Sequence, residues 1–393
     1  MTPGSGLPGP GSLGGSGALA VVRPAYGSGS LAELMPSVMA VLGVPGATDV
    51  LGLGEVLGGV DRVAVLLVDG LGAYQIPVAA AHAPILTQLD GRTLTSGFPS
   101  TTPVSLVTLG TGAPPGAHGI LGFTVRRPDG GVLNHIVWGA DPDPALWQPV
   151  PTRFETAAAA GTPTTLVTKA EFAGTGLTVA AYRGARFTGA GDPHALATAM
   201  LAALDGPGLV YGYHPDLDHH GHASGIDSDP WRAAAVTVGA LVARLVDGLP
   251  PGAALLVTAD HGQLDIPADT RVDLAADPAL SAGIVGVSGE PRVRYLHTRD
   301  GAAADVVAAY RSVLGASAWV LTREEAVGSG LYGPVPSGHL GRIGDVVVVC
   351  LDRTVVLAGG WEPPTVGRLV AYHGSVTATE MTVPLLSYVR PSA

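Results

Sequence analysis

Cysteine and lysine are almost missing from this chain of 393 residues, with Cys350 and Lys169 the single example of each. One thiol allows no internal disulfide and rules out a cysteine-ligated zinc site. Cys350 itself sits in the apolar run "DVVVVCLD" and reads as a small buried hydrophobe. Charge is also scarce: 13% of residues are charged, the formal net charge is −11 and the pI is about 5.4. No Lys/Arg-rich run offsets that balance, so a phosphate backbone is repelled and extended nucleic acid is excluded as a partner. A small anion still fits where a bound metal supplies local positive charge. No stretch has the length and apolarity of a membrane helix, and the N-terminus lacks the basic and apolar regions of a signal peptide. The expectation is a cytoplasmic protein with no membrane partner.

What is present is turn chemistry and apolar residues. The chain has 57 glycines, 33 prolines and 47% hydrophobic residues, which suits many short elements around a sizeable core. The Gly/Pro/Ser-rich residues 1–20 read as a flexible tail and 21–393 as the folded part. A helix is expected over 31–42, ending near Gly43. Arg62 to Val68, "RVAVLLV", is a continuous β-branched-rich run that suits a strand buried on both faces of a parallel sheet. "GLVYGYHPD" from Gly208, "AALLVTADHG" from Ala253 and "DVVVVCLD" from Asp345 have the same character. Alanine-rich helical segments such as 231–246 lie between them. The expected fold is therefore α/β, a mostly parallel central sheet flanked by helices. Residues 121–205 mix short strands and helices and are expected to form a smaller lid or substrate-facing insertion.

Ligands of open α/β sheets gather at the carboxyl ends of strands. Three of these runs end in metal-ligand types: Asp69 after the first, Asp218 and His222 after the second, Asp260 and His261 after the third. "AYHGS" adds His373. Taken singly, an aspartate after a strand is as well explained as a helix cap or turn residue. Taken together, aspartate and neutral imidazole form the set that suits zinc, with manganese or iron as less selective occupants. Six such residues suffice for two three-ligand sites, and paired metals about 3.5–4 Å apart serve phosphoryl transfer. "FPSTTPVS" places Thr101 and Thr102 at an expected helix N-terminus, which favours an anion. There a threonine is either a metal-activated nucleophile or simply an N-cap before Pro103.

The order of Asp69, "FPSTTPVSLVTLGTGAPPGAHGI", "DHHGH", "ADHG" and "HGS" resembles the alkaline phosphatase superfamily, and most of all its nucleotide pyrophosphatase/phosphodiesterase branch. The resemblance spans residues 61–384 and implies an alkaline-phosphatase-like catalytic domain over 21–393. It implies that Thr102 is the nucleophile, in a register set by Phe98-Pro99 and Thr111-Gly112, with Thr101 as the fallback. It implies two zinc ions, one held by Asp218, His222 and His373, the other by Asp69, Asp260, His261 and the Thr102 oxygen. His219 and His220 match no ligand position. The implied activity is a metal-dependent phosphoesterase working through a covalent phosphothreonine. Its substrate would be a small phosphate ester, first a phosphodiester or nucleotide pyrophosphate and second a phosphomonoester.

One departure bears on substrate binding. Many nucleotide-processing members carry an asparagine just after the "HGI" turn, where this chain has Phe123; Asn134 is the nearest replacement. With lysine so scarce, the side-chain cation over the substrate is expected to be an arginine, from Arg126, Arg127, Arg183 and Arg186. "STTPVS" lacks the C/S-x-P-x-R setting of sulfatases. A catalytically inactive binding protein of the same fold is the non-enzymatic alternative.

Overall fold

A computed structural model of the chain describes residues 7–8 and 16–392. Strand β1, Arg62–Val68, is buried at every position after Arg62, as its unbroken apolar run requires. In chain order follow β2 (Asp90–Thr95), the small hairpin β3 (Thr124–Arg126) and β4 (Val132–Asn134), then β5 (Thr164–Thr168), β6 (Arg186–Gly189), β7 (Gly208–His214) and β8 (Ala253–Thr258). The central sheet has seven strands in the order β2, C-terminal strand Thr382–Val389, β8, β1, β7, β5, β6. The C-terminal strand pairs antiparallel with β2 and β8, whereas the pairs of β1 with β7 and β8, and of β5 with β6 and β7, are parallel. The fold is thus α/β with a mostly parallel sheet.

Register places the working edge. Val68 pairs with His214, and Leu67 with Thr258, so the three central strands end at one level. Asp69, the helix Asp216–Ser224 and Asp260 all leave the sheet there. Helices cover the sheet. Thr102–Thr111 is buried along its whole length, and Asp229–Gly248 turns Trp231, Val238, Leu241, Val242 and Leu245 inward. The expected first helix runs Leu31–Val41, started by a capping box between Ser30 and Glu33.

Three expectations change. The "VVVVC" strand Val346–Cys350 is not in the parallel sheet. It lies in a second, antiparallel sheet, paired with Val293–Thr298 and Ala318–Thr322, the first of these pairing in turn with Ile284–Glu290. Both of its faces are buried, one in the main core and one in a satellite core around Leu296, Tyr310 and Cys350, so its hydrophobicity mimics that of a parallel strand. Cys350 is fully buried, and burial pushes its thiol up to about 11. Residues 121–205 also divide: β3 and β4 pair only with each other, but β5 and β6 belong to the central sheet, so the whole region is not an insertion. The run "TTLVT" of β5 is entirely buried, yet three of its five residues are threonine, which hid it. Finally, most of the expected tail lies outside the described residues, but Ser16–Leu19 forms a 3₁₀ turn. There Ala18 is fully buried, and Ala20 accepts a backbone hydrogen bond from Ala378.

A buried ion pair links the turn between Ile284–Glu290 and Val293–Thr298 to the short helix Ala378–Met381, which leads into the C-terminal strand. Arg292 and Glu380 are both fully buried, with Arg292 Nε and Nη2 donating to Glu380 at 2.9 and 2.7 Å. Glu380 also accepts from Ser375 N–H at 2.9 Å and the Thr377 hydroxyl at 2.6 Å. Breaking one half of such a pair strands a buried charge. Arg292→Met is expected to cost about 3–5 kcal/mol in urea unfolding, and Arg292→Met combined with Glu380→Leu distinctly less.

Candidate metal centre

The edge formed by β1, β7 and β8 gathers every residue of the expected ligand set. Asp69, Asp260 and His261 are buried, Thr102 and His373 nearly so, and Asp218 and His222 are partly open. Two groups of converging ligand atoms result, Asp218–His222–His373 and Asp69–Asp218–His261, each with its atoms within 4.8 Å of one another.

The three imidazoles are oriented alike. His222 Nδ1 meets Ala371 O at 2.8 Å, His373 Nδ1 meets Ser100 O at 2.9 Å, and His261 Nδ1 meets Gly262 O at 3.2 Å. A carbonyl only accepts, so each Nδ1 carries the proton and each Nε2 is left with a lone pair. The lone pairs of His222 and His373 face each other, Nε2 to Nε2 at 3.2 Å, and the ring of His261 stacks on that of His373 at 3.6 Å. Such an arrangement repels itself unless a cation sits between the nitrogens.

The aspartates repeat the pattern. Asp69 Oδ2 accepts from the Tyr213 hydroxyl, while its Oδ1 is buried without a hydrogen-bond partner among the described residues. Asp260 Oδ1 accepts from Gly70 and His261 N–H, both at 3.1 Å, while its Oδ2 is buried and equally unpartnered. The two orphaned oxygens lie 3.5 and 3.3 Å from His261 Nε2. Burial, then the charges of Asp260 and Asp218, hold the Asp69 carboxyl well above the usual range. Burial raises Asp260 as well. Buried, unpaired carboxylate oxygens aimed at a lone pair suit a divalent cation.

The two threonines separate here. Thr101 is the residue before the helix Thr102–Thr111, but its hydroxyl makes no cap and is buried without a partner among the described residues. Thr102 is the first helical residue and Pro103 the second, and Thr102 Oγ1 lies 3.1 Å from His261 Nε2. The capping explanation of these threonines therefore fails, and the Thr102 oxygen joins Asp69 and Asp260 around one imidazole nitrogen.

Other expected residues fall outside this cluster. His219 and His220 pack edge to face against each other at 5.3 Å. Asn134 uses its side-chain oxygen on Ile136 N–H at 2.9 Å, and Phe123 N–H donates to Glu290 Oε2 at 2.8 Å. Arg127 is paired with Asp129 and Asp141, and Arg183 with Glu155, so neither is a free cation. Arg186 reaches Thr165 Oγ1 at 3.5 Å, and Arg126 lies in the β3–β4 hairpin. The lone lysine stands at the carboxyl end of β5 instead, with Lys169 Nζ 3.0 Å from Asp216, the first residue of the helix that carries Asp218. Sequence reasoning missed Tyr213 and Gln263, which hold Asp69 and Asp218. Their only signal is nearness to the motifs, five residues before Asp218 and two after His261. It also missed Glu290, whose carboxyl burial pushes up to about 8. Glu290 explains the glycine after His373: a Cβ on Gly374, at φ +132°, would come within 2.8 Å of Glu290 Cγ.

A profile for the type I phosphodiesterase / nucleotide pyrophosphatase family matches residues 63–376. The chain belongs to that family. It is a phosphoester hydrolase by that membership, with an alkaline-phosphatase-like fold. Similar solved structures include an inactive variant of murine ectonucleotide pyrophosphatase / phosphodiesterase 5 in complex with AMP. It is 17% identical, covers 83% of this chain and 87% of its own, and has a TM-score of 0.66. The human counterpart is 15% identical over 84% of this chain and 88% of its own, with a TM-score of 0.64. Phosphonoacetate hydrolase from Sinorhizobium meliloti 1021, in complex with phosphonoacetate, is 21% identical over 85% of this chain and 90% of its own, with a TM-score of 0.63. At these identities the likeness establishes the fold. No curated protein sequence matches the chain. Among the described residues, no helix is long and apolar enough to cross a membrane.

Two outcomes are expected of this phosphodiesterase-family chain. Stripping divalent ions with a chelator lowers the thermal unfolding midpoint, and adding Zn²⁺ back restores it, because an ion that binds only the folded chain stabilises it. Scanning fluorimetry with and without chelator reads this directly. Glu290 gives a pH dependence. Its folded-state pKa is raised, so the folded chain binds the extra proton and stability falls as pH rises from about 4.5 through about 8. Urea unfolding at pH 5.5 and 8.5, in chelator, should show a smaller loss for Glu290→Gln than for the wild-type chain.

Proposed function

We propose that the chain is a two-metal phosphodiesterase with Thr102 as its nucleophile. The observation that carries this reading is the convergence of Thr102 Oγ1, the orphaned Asp69 Oδ1 and the orphaned Asp260 Oδ2 on His261 Nε2. In this reading Asp69, Asp260, His261 and Thr102 hold one ion, and Asp218, His222 and His373 the other. Zinc suits this oxygen-and-imidazole set best, with manganese or iron as substitutes. Bound there, the ions supply Lewis acidity, which eases ionisation of a hydroxyl and offsets charge on phosphate oxygens.

Thr102 Oγ1 loses its proton to solvent and attacks phosphorus in line with the leaving oxygen, which departs as an oxyanion that water protonates. The new Oγ1–P bond forms as the P–O bond to the leaving group breaks, leaving a phosphothreonine. Water then attacks phosphorus, the Oγ1–P bond breaks and the threonine hydroxyl is restored. The helix N-terminus at Thr102 aims backbone N–H groups at the phosphoryl oxygens throughout. The substrate is a small phosphodiester or nucleotide pyrophosphate. The AMP and phosphonoacetate bound by the two relatives support a small phosphorus-containing ligand. A phosphomonoester is the second reading, favoured by one observation: Phe123 stands where nucleotide-processing members place an asparagine, and its N–H is already committed to Glu290.

Thr102→Ala is expected to lower turnover of an aryl phosphodiester by about a thousand-fold or more. It should leave metal content, measured by elemental analysis, near that of the wild-type chain. Wild-type-like turnover would remove Thr102 as nucleophile. The matching aryl phosphomonoester, assayed beside it with a chelated control, separates the two substrate readings.

A further inference from the structure

Beside the aspartate–histidine cluster, the carboxyl ends of β5, β6 and β7 frame a cavity of about 240 Å³. Ligands of open α/β sheets bind at that edge. Tyr213 is the wall between cavity and cluster: it lines the one, and its hydroxyl donates to Asp69 in the other. Asp216 also lines the cavity, and it begins the helix that carries Asp218 and His222.

The polar groups of the cavity are of both signs. Lys169, the only lysine of the chain, stands in it with Nζ 3.0 Å from Asp216 Oδ1, and both side chains are more than a third open to solvent. His214 lines it too and is 3% exposed, and its Nε2 is buried without a partner among the described residues. Asp192 lies at the rim, where its Oδ1 accepts from Ala195 N–H at 2.7 Å and caps the helix Pro193–Ala202.

Such a set selects by hydrogen bonding rather than by charge. One ammonium among two carboxylates does not attract an anion, and it already neutralises the carboxylate nearest to it, so a cation gains little. No phenylalanine or tryptophan lines the cavity, so no pair of aromatic faces is there to sandwich a flat base. A hydroxyl both donates and accepts, which suits an ammonium beside a carboxylate. Lys169 has three N–H donors and spends one on Asp216, Asp216 has a second oxygen, and the His214 ring supplies a further polar atom. Arginine serves everywhere else in this chain, whereas the compact ammonium on its flexible stem re-aims where a planar guanidinium does not.

We propose that this cavity holds a hydroxyl-bearing organic group of the substrate, of glycerol or sugar type, and that Lys169, His214 and Asp216 are the specificity-determining residues that read its hydroxyls. The proposal rests on the phosphodiesterase reading above and narrows its substrate to polyol phosphodiesters.

The test is competition against aryl phosphodiester turnover by the zinc-loaded full chain. Symmetric competitors make the result independent of which side of phosphorus leaves. Diglyceryl phosphate is expected to inhibit at a concentration about 10-fold or more below that of dipropyl phosphate, because hydrogen-bonding groups left unpaired reject the analogue that lacks hydroxyls. Lys169→Met and Asp216→Asn should each bring the two inhibition constants together, with unfolding midpoints showing that both variants are folded. Acetylation by acetic anhydride, read by mass spectrometry, is a measure free of turnover. The chain gives a single acetyl-lysine, at Lys169, and diglyceryl phosphate should slow its formation while dipropyl phosphate does not. Equal inhibition and equal protection by the two diesters overturn the cavity assignment alone, as does a preference that survives in both variants. Stronger competition by bis(carboxyethyl) phosphate than by diglyceryl phosphate assigns an anion to Lys169 and overturns the hydroxyl reading. A zinc-loaded chain that turns over no aryl phosphodiester overturns the phosphodiesterase reading, and the proposal falls with it.

Discussion

Three aspartates, two of them wholly or almost wholly buried, converge on the lone-pair edges of imidazoles, and the rest of the working face is arranged around that conflict. Asp69 and Asp260 each have one oxygen satisfied by a neighbour and one left bare. Every histidine in the cluster is turned so that its proton faces the backbone and its lone pair faces the carboxylates. Leaving polar atoms buried and unpaired costs about 1–3 kcal/mol each, more for charged groups. A fold that repeats this cost at several neighbouring atoms, all pointing at one place, is organised for a cation.

The scaffold supports that cost by rigidity. Parallel strands in register end together, so Asp69 and Asp260 are fixed by the core of the sheet. His373 follows the two-residue strand Ala371–Tyr372, paired antiparallel with Leu264–Asp265 outside the central sheet, and further contacts hold its loop. Ser100 N–H donates to Gly374 O, and Glu380, locked by Arg292, receives Ser375 N–H and the Thr377 hydroxyl. The Glu380 carbonyl also accepts from Gly262 N–H at 2.9 Å, beside His261. One buried ion pair thus steadies ligand loops on both sides of the centre, and the hairpin turn of the second sheet that carries Arg292 is tied to the site through it.

Much of this was legible in the sequence. The strand-end positions of Asp69, Asp218 and Asp260 follow from apolar runs that stop abruptly, and the four-residue interval from Asp218 to His222 puts both on one face of a helix. What was hidden depended on contacts between distant segments. Val346–Cys350 reads like a parallel strand because burial on two faces leaves the same trace in either sheet type. β5 was obscured by its threonines, whose β-propensity is high but whose polarity breaks the apolar pattern. Tyr213, Gln263, Glu290 and Arg292 are ordinary residue types, and only the fold turns them toward the centre.

The charge balance gives the cluster its logic. The chain is acidic, with a net charge of −11, and would repel the anionic esters its family hydrolyses. Arg127 and Arg183 do not reverse this locally, for they are held by carboxylates, and Lys169 is paired with Asp216. In the two-metal reading proposed above, attraction for phosphate comes from dications held by the aspartate–histidine cluster and from the amide end of the Thr102–Thr111 helix. Both sources are short-ranged and aimed at the same place, beside Thr102 Oγ1. A site built this way binds phosphate oxygens through a few fixed groups rather than through a broad positive surface. It favours small substrates over polyanions, and it leaves the identity of the leaving group to the side chains that surround the centre.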